Sequence, residues 1–191
     1  MNADYMVLIN GENPVPENYE STVELITVEN AFGEQHKVEK KTLEAYLRLK
    51  KDLLENDGIE IDLVSVYRTL QFQTDSYDRH MREHGPEFTN KYVARPGHSE
   101  HHTGLAIDVS FVVNGKLVRM VPNLLKIDPL YKPLQEKLPK YGFILRYPAG
   151  KEDITKINYE PWHFRYLDDP ELAKNITNRG ICFEEYWEER K

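Results

Sequence analysis

The chain of 191 residues is 40% hydrophobic, 30% charged and 11% aromatic, an ordinary globular composition. A single domain of this length buries roughly 70% of its unfolded surface. A formal net charge of −7 disfavours an electrostatic nucleic-acid binder, because neutralising phosphates takes basic patches. One cysteine, Cys182, excludes an intramolecular disulfide and a Cys-ligated zinc site, and it reads as a small buried residue.

Residues 1–10 hold no basic n-region and no long apolar run, and no later stretch is long enough to span a bilayer. The sequence as it stands predicts a cytoplasmic protein; an exported or membrane-anchored protein whose leader lies outside it would read the same. Gly11, Pro14 and Pro16 mark residues 1–35 as an irregular lead-in, with a short strand over Val23–Val28. Between Val38 and Asn56, Leu43, Tyr46, Leu47, Leu53 and Leu54 recur at helical spacing, and Asp57-Gly58 predicts a glycine C-cap. Ile59–Val66 is a predicted strand leading into Tyr67-Arg68-Thr69. Thr69 is placed to cap a helix over 70–84, with Gly85-Pro86 as its stop and 86–100 as a substrate-facing loop.

Leu105–Val113, Asn114-Gly115 and Lys116–Val121 spell a hairpin with a type I′ turn. A helix over Pro129–Tyr141 ends at Gly142, and Phe143–Tyr147 follows as a strand. Ile157–Tyr166 reads as a strand interrupted by Pro161, and 168–191 as two short helices around Arg179-Gly180. The sum is an α+β single domain: a small, mostly antiparallel sheet with helices packed on it. Nothing in the pattern specifies an oligomer.

The chemistry concentrates in Arg95–Asp108, which carries three histidines, two acids and a serine on a Gly- and Pro-rich backbone. Asp108 falls inside a predicted buried strand, where a carboxylate is costly unless a cation or hydrogen bonds satisfy it. With His101 upstream it looks like two ligands of a metal lacking its third. Tyr159–Tyr166 offers His163 as that third ligand and Glu160 beside it as a proton acceptor. On an ideal strand Glu160 and His163 point to opposite faces, so the pairing needs Pro161 to break the strand. The competing reading is a buried core strand with Glu160 exposed. His80 and His84 are i,i+4 without a His-Glu-x-x-His motif, which favours a solvated helix face. His36 reads as surface, His102 as a neighbour of the site or a surface residue, and Trp162 as cleft wall or core.

Ser99-Glu100-His101-His102-Thr103-Gly104-Leu105-Ala106-Ile107-Asp108 matches Ser-x-His-x-x-Gly-x-Ala-x-Asp, and Glu160-Pro161-Trp162-His163 matches its partner Glu-x-x-His. These motifs resemble the zinc D-Ala-D-Ala peptidases of the VanX, VanY and VanXY group and the related LdcB-type carboxypeptidases. The segments Val66–Thr69, Tyr141–Pro148 and Ile157–Tyr166 also look like that family, so the resemblance covers roughly 60–167 and implies a catalytic core there.

The resemblance implies one zinc ion in a cleft on the sheet, held by His101, Asp108 and His163, with Glu160 as catalytic base. It further implies that Arg68 stabilises the oxyanion and that Ser99 binds the substrate's terminal region, with turn capping as the competing role for Ser99 and a structural salt bridge for Arg68. Gln73 is a weaker candidate for the cleft. The implied partner is a peptide ending in D-alanine, either a peptidoglycan precursor or D-Ala-D-Ala itself. An L,D-carboxypeptidase acting on tetrapeptide stems, and a non-catalytic peptidoglycan-binding module with a structural zinc, are the alternatives.

Overall fold

The computed structural model describes residues 3–118 and 128–190. A two-stranded ribbon, β1 (Leu25–Glu29) and β2 (Gln35–Glu39), leads directly into helix α1 (Lys40–Asp57). Glu39 makes that join: its carboxylate accepts the backbone N–H groups of Lys41 and Thr42 at 3.2 and 2.9 Å, filling the free donors of the first turn. At the other end Gly58, with φ +66, donates its N–H to Leu53 O. β2 is an addition to the sequence expectation, which had assigned Val38 to the helix.

The main sheet runs β3 (Ile61–Ser65), β4 (Ala106–Val113), β7 (His163–Tyr166), β6 (Phe143–Leu145), all antiparallel. β5 (Lys116–Leu117) pairs with the far end of β4. Asn114 and Gly115 both have positive φ, 51° and 69°, as the type I′ turn requires. The rest of that hairpin's expected second strand lies outside the described residues.

Side chains alternate across each strand, and this divides the sheet's work. Ile107, Val109 and Phe111 of β4, with Phe164 and Tyr166 of β7, face the main core beneath α1, where Tyr46, Leu49 and Leu53 are buried. Asp108 and His163 take the alternate positions and are directly paired. Asp52 on α1 ties that helix to the far edge by accepting from Lys137 and Lys140 at 2.8 and 2.9 Å. Those lysines belong to helix α3 (Asp128–Lys137) and the 3₁₀ turn Leu138–Tyr141.

Helix α2 spans Leu70–Tyr92, longer than expected. Gly85 breaks it with φ 76 and ψ 172, but Pro86 then restarts it, since proline suits a first helical position. Residues 86–92, read from sequence as loop, are therefore helical. Residues 157–162 are not strand: a turn at Pro161-Trp162 precedes β7, and a short helix α4 (Glu152–Thr155) precedes both.

Helices α5 (Pro170–Arg179) and α6 (Phe183–Glu189) close the chain. With Leu8 they form a second apolar cluster around Ile144 and Phe183. Cys182 opens α6, is 1% exposed, and its burial pushes the thiol up to about 11. No helix among the described residues is long and apolar enough to cross a membrane.

Candidate metal centre

His101 lies in the 3₁₀ turn Glu100–Thr103, which Gly104 ends with φ 72 before β4 begins. A β-carbon at Gly104 would meet Leu25 Cδ2 at 2.7 Å and the backbone nitrogen of Glu39 at 3.1 Å. Glycine is thus required both for the turn and for the close approach of β2. Seven residues after His101, Asp108 enters from β4. His163 enters from β7, beside it.

One ligand atom from each of these three buried side chains lies within 4.8 Å of the others. His101 Nδ1 is 2.6 Å from Val66 O, a contact that needs a proton on Nδ1. Burial, with the Arg68 charge nearby, pushes His101 down to about 4, so the ring is neutral and Nε2 carries a lone pair. That lone pair faces Asp108 Oδ2 at 3.2 Å. Burial opposes charge on Asp108, but His101 and His163 hold it well below the usual carboxylate range. Two electron-rich atoms at this separation call for a cation between them. On the other oxygen, His163 Nδ1 stands 2.9 Å from Asp108 Oδ1. Burial works against charge on His163, yet Asp108 and Glu100 outweigh it and push it up to about 9. Without a metal, a proton fills the place. Two imidazole nitrogens and a carboxylate form a donor set that suits zinc.

Glu160 is 6% exposed, and its Oε2 is 3.8 Å from His163 Nδ1. The turn explains how a Glu and a His three apart meet: His163 N–H donates to Glu160 O at 3.2 Å, folding the pair back together. Burial pushes Glu160 up to about 8. The reading that left Glu160 exposed does not hold.

Arg68 donates from Nη2 to Asp108 Oδ2 at 2.8 Å and from Nε to Ser65 Oγ at 2.9 Å. A register shift between Leu63 and Ser65 sets Ser65 opposite Asp108 and so fixes where Arg68 starts. Gln73 sits behind it, fully buried, its Oε1 3.4 Å from Arg68 Nη1 and its amide nitrogen donating to Ala94 O at 2.7 Å. It braces Arg68 and is not among the cleft-lining residues. Ser99 lines the cleft and makes no cap hydrogen bond. His102 is buried, not surface: Nδ1 pairs with Arg68 O and Nε2 accepts from Gly97 N–H. His36 is likewise only 11% exposed in its side chain, beside Asn30. Trp162 serves both core and cleft.

The cleft above the centre has a volume of about 720 Å³ and continues along α2, where His80, His84, Phe88 and Tyr92 form one wall. Neighbouring rings on that wall are 5.8, 4.8 and 4.8 Å apart. His80 and His84 are therefore part of the cleft wall.

A family model described as VanY, D-alanyl-D-alanine carboxypeptidase, matches residues 35–169. The chain belongs to the VanY family. It is 36% identical to YodJ of Bacillus subtilis (strain 168) over 97% of this chain and 68% of YodJ. It is 34% identical to a D-alanyl-D-alanine carboxypeptidase of Enterococcus faecalis (strain ATCC 700802 / V583), covering 95% of this chain and 65% of that protein. With VanXYC of Enterococcus gallinarum, a bifunctional D-Ala-D-Ala dipeptidase and carboxypeptidase, identity is 39% over 70% of each. The chain thus spans about two thirds of these relatives.

Several solved structures superpose closely on this chain. VanYB in complex with D-Ala-D-Ala has a TM-score of 0.80 at 31% identity, covering 98% of this chain and 99% of that one. A VanY mutant in complex with Zn(II) has a TM-score of 0.79 at 31% identity, covering 96% and 98%. The LD-carboxypeptidase LdcB has a TM-score of 0.77 at 37% identity, covering 96% and 86%.

Glu100, 1% exposed and bonded to Arg146 and Arg165, escapes the sequence reading because it stands at a free position of the motif. A signal was present: Arg146 and Arg165 each follow or interrupt apolar strand residues, and buried cations need a buried anion.

Proposed function

We propose that this chain is a zinc-dependent D,D-peptidase that releases D-alanine from peptides ending in D-Ala-D-Ala. The observation that carries the reading is the buried His101, Asp108 and His163 cluster with Glu160 held 3.8 Å from His163. His101 through Nε2, Asp108 through its carboxylate and His163 through Nδ1 would hold one zinc ion. When bound, zinc supplies Lewis acidity toward the scissile carbonyl and makes water more acidic.

The remaining work falls to the chain's own groups. Glu160 takes a proton from the attacking water and delivers it to the leaving amine. A carboxyl near 8 suits that exchange, because its proton affinity is close to neutral pH. A purely structural metal site has no use for such a carboxyl in its cleft. Arg68, oriented by Ser65, Asp108 and Gln73, has donors left over for the oxyanion of the tetrahedral intermediate. Ser99, whose hydroxyl caps nothing, is available to the substrate's terminal carboxylate.

The cleft's extension along α2 gives space for residues that precede the scissile bond, which favours carboxypeptidase action on a longer peptide over dipeptidase action alone. Release of D-alanine from D-Ala-D-Ala, from a pentapeptide and from an L,D-linked tetrapeptide, with and without a chelator, tests this. Chelator-sensitive release from the pentapeptide is expected. Release from the tetrapeptide alone would replace the reading with an L,D-carboxypeptidase, and no release from any would leave a zinc-holding binding module.

A further inference from the structure

Behind the metal centre lies a cluster of four charged side chains that the reaction does not use. Arg146 and Arg165 are both fully buried. Each donates to the same oxygen of Glu100: Arg146 Nε at 2.7 Å and Arg165 Nη1 at 2.8 Å from Oε1. Arg146 also grips both oxygens of Glu184 on α6 at 2.8 and 2.7 Å, and donates to Ile9 O at 3.4 Å. Arg165 completes its bonds on the carbonyls of Tyr5, Val7 and Tyr166. Two cations and two carboxylates balance, so Glu100 is held as the anion although only 1% exposed.

The other oxygen, Oε2, has no hydrogen-bond partner. Nor has Nε2 of His163, and the two atoms face each other at 3.7 Å. A buried carboxylate oxygen and a buried imidazole nitrogen left over opposite one another are an acceptor and a donor a small shift away from bonding.

We propose that Glu100 is a positioning residue for His163, holding its proton on Nε2 so that Nδ1 is bare toward Asp108 and the metal. The inference rests on the reading of His163 as a ligand. The arginines engage one Glu100 oxygen and thereby aim the other at the ring. The partners of those arginines, residues 5–9 and helix α6, brace the arrangement from both ends of the chain.

Zinc affinity, read by competition with a chromophoric chelator, separates positioning from mere packing when Glu100→Gln is compared with Glu184→Gln. Glu184 shares the network but does not touch His163. In Glu100→Gln the arginines retain the amide oxygen, so the NH₂ group is turned toward His163 Nε2 and favours the wrong tautomer. We expect roughly 10–100-fold weaker zinc binding for Glu100→Gln, from the usual effect of such partners. Glu184→Gln, acting only through Arg146, should weaken zinc binding far less while melting at a lower temperature. In the zinc-loaded protein the His163 Nε2–H proton should show the downfield ¹H shift of a bond to a carboxylate in the parent and lose it in the variant. Should Glu100→Gln not fold, Glu100→Asp keeps the charge for the arginines and withdraws the oxygen from His163, with the same affinity loss expected. Equal zinc affinity in the Glu100 and Glu184 variants, or an unchanged His163 Nε2–H shift in the zinc-loaded protein, overturns the proposal. Absence of zinc uptake by the parent overturns the ligand assignment itself.

Discussion

Asp108 is the residue on which the site turns. It faces His101, His163 and Arg68 at 3.2, 2.9 and 2.8 Å, so every candidate group but Glu160 and Ser99 is oriented through it or through Arg68. Asp108→Asn keeps the shape and removes the charge; we expect lost zinc binding and a looser Arg68, checked by chelator competition. Glu160→Gln should separate the two functions, keeping zinc while lowering kcat by roughly 10²–10⁴-fold, the range for removing a general base. Near-normal turnover in that variant would remove Glu160 from the mechanism. Arg68→Lys should also be costly, because the planar fork that bonds Ser65, Asp108 and Gln73 together cannot be reproduced by an ammonium. At this scale the sequence was informative wherever a residue type is chemically committed: His101, Asp108, His163 and Glu160 stood out by spacing and resemblance. Gln73 and Glu100 did not, because a buried amide bracing an arginine and a buried acid behind a ligand look like ordinary polar residues until the surroundings are known.

Between elements, the join of the 3₁₀ turn to β4 is the narrowest point. Gly104→Ala would combine a left-handed backbone with contact against Leu25 and the Glu39 backbone. The expected loss is on the order of 2 kcal/mol from the backbone conformation alone, seen as a lower melting temperature. Thr69→Ala, which removes the hydroxyl accepting from Phe72 N–H at 3.1 Å, should cost about 1 kcal/mol. Helix α1, its Gly58 cap and the Asn114-Gly115 turn were legible because local chemistry decides them. The path around Gly85 was not: a Gly-Pro pair stops one helix and starts the next equally well. Residues 157–162 carried strand-like composition, but the turn that aims Glu160 and His163 overrode it.

For the molecule as a whole, the centre makes stability depend on pH and metal together. His163, raised to about 9, and Glu160, raised to about 8, hold protons in the folded metal-free protein that the unfolded chain releases near its ordinary values of 6.5 and 4.5. Folded stability therefore falls as pH rises, and above about 6.5 no opposing contribution comes from His101, whose depressed value of about 4 acts only below that point. Thermal melts with a chelator should lose on the order of 2–3 kcal/mol per pH unit between about pH 6.5 and 8, where both groups count, and about half that between 8 and 9. With one equivalent of zinc the slope should flatten, since the ion replaces the proton on His163. The global architecture, helices against a small antiparallel sheet, followed from periodicity. That the two ends of the chain meet behind the sheet did not, because those contacts run through the backbone carbonyls of Tyr5, Val7 and Ile9, and every residue has a carbonyl.

Cys182 gives that arrangement a timepiece. Its thiol is buried at the foot of α6 and resists ionisation, so a disulfide reagent reacts with it only while the last helix is lifted away. Glu184, two residues further on, lets go of Arg146 in the same excursion. The half-life of the lone thiol in native buffer thus counts how often the support behind His163 slackens, and its lengthening on addition of zinc would measure the traffic between the chain's final turn and its chemistry.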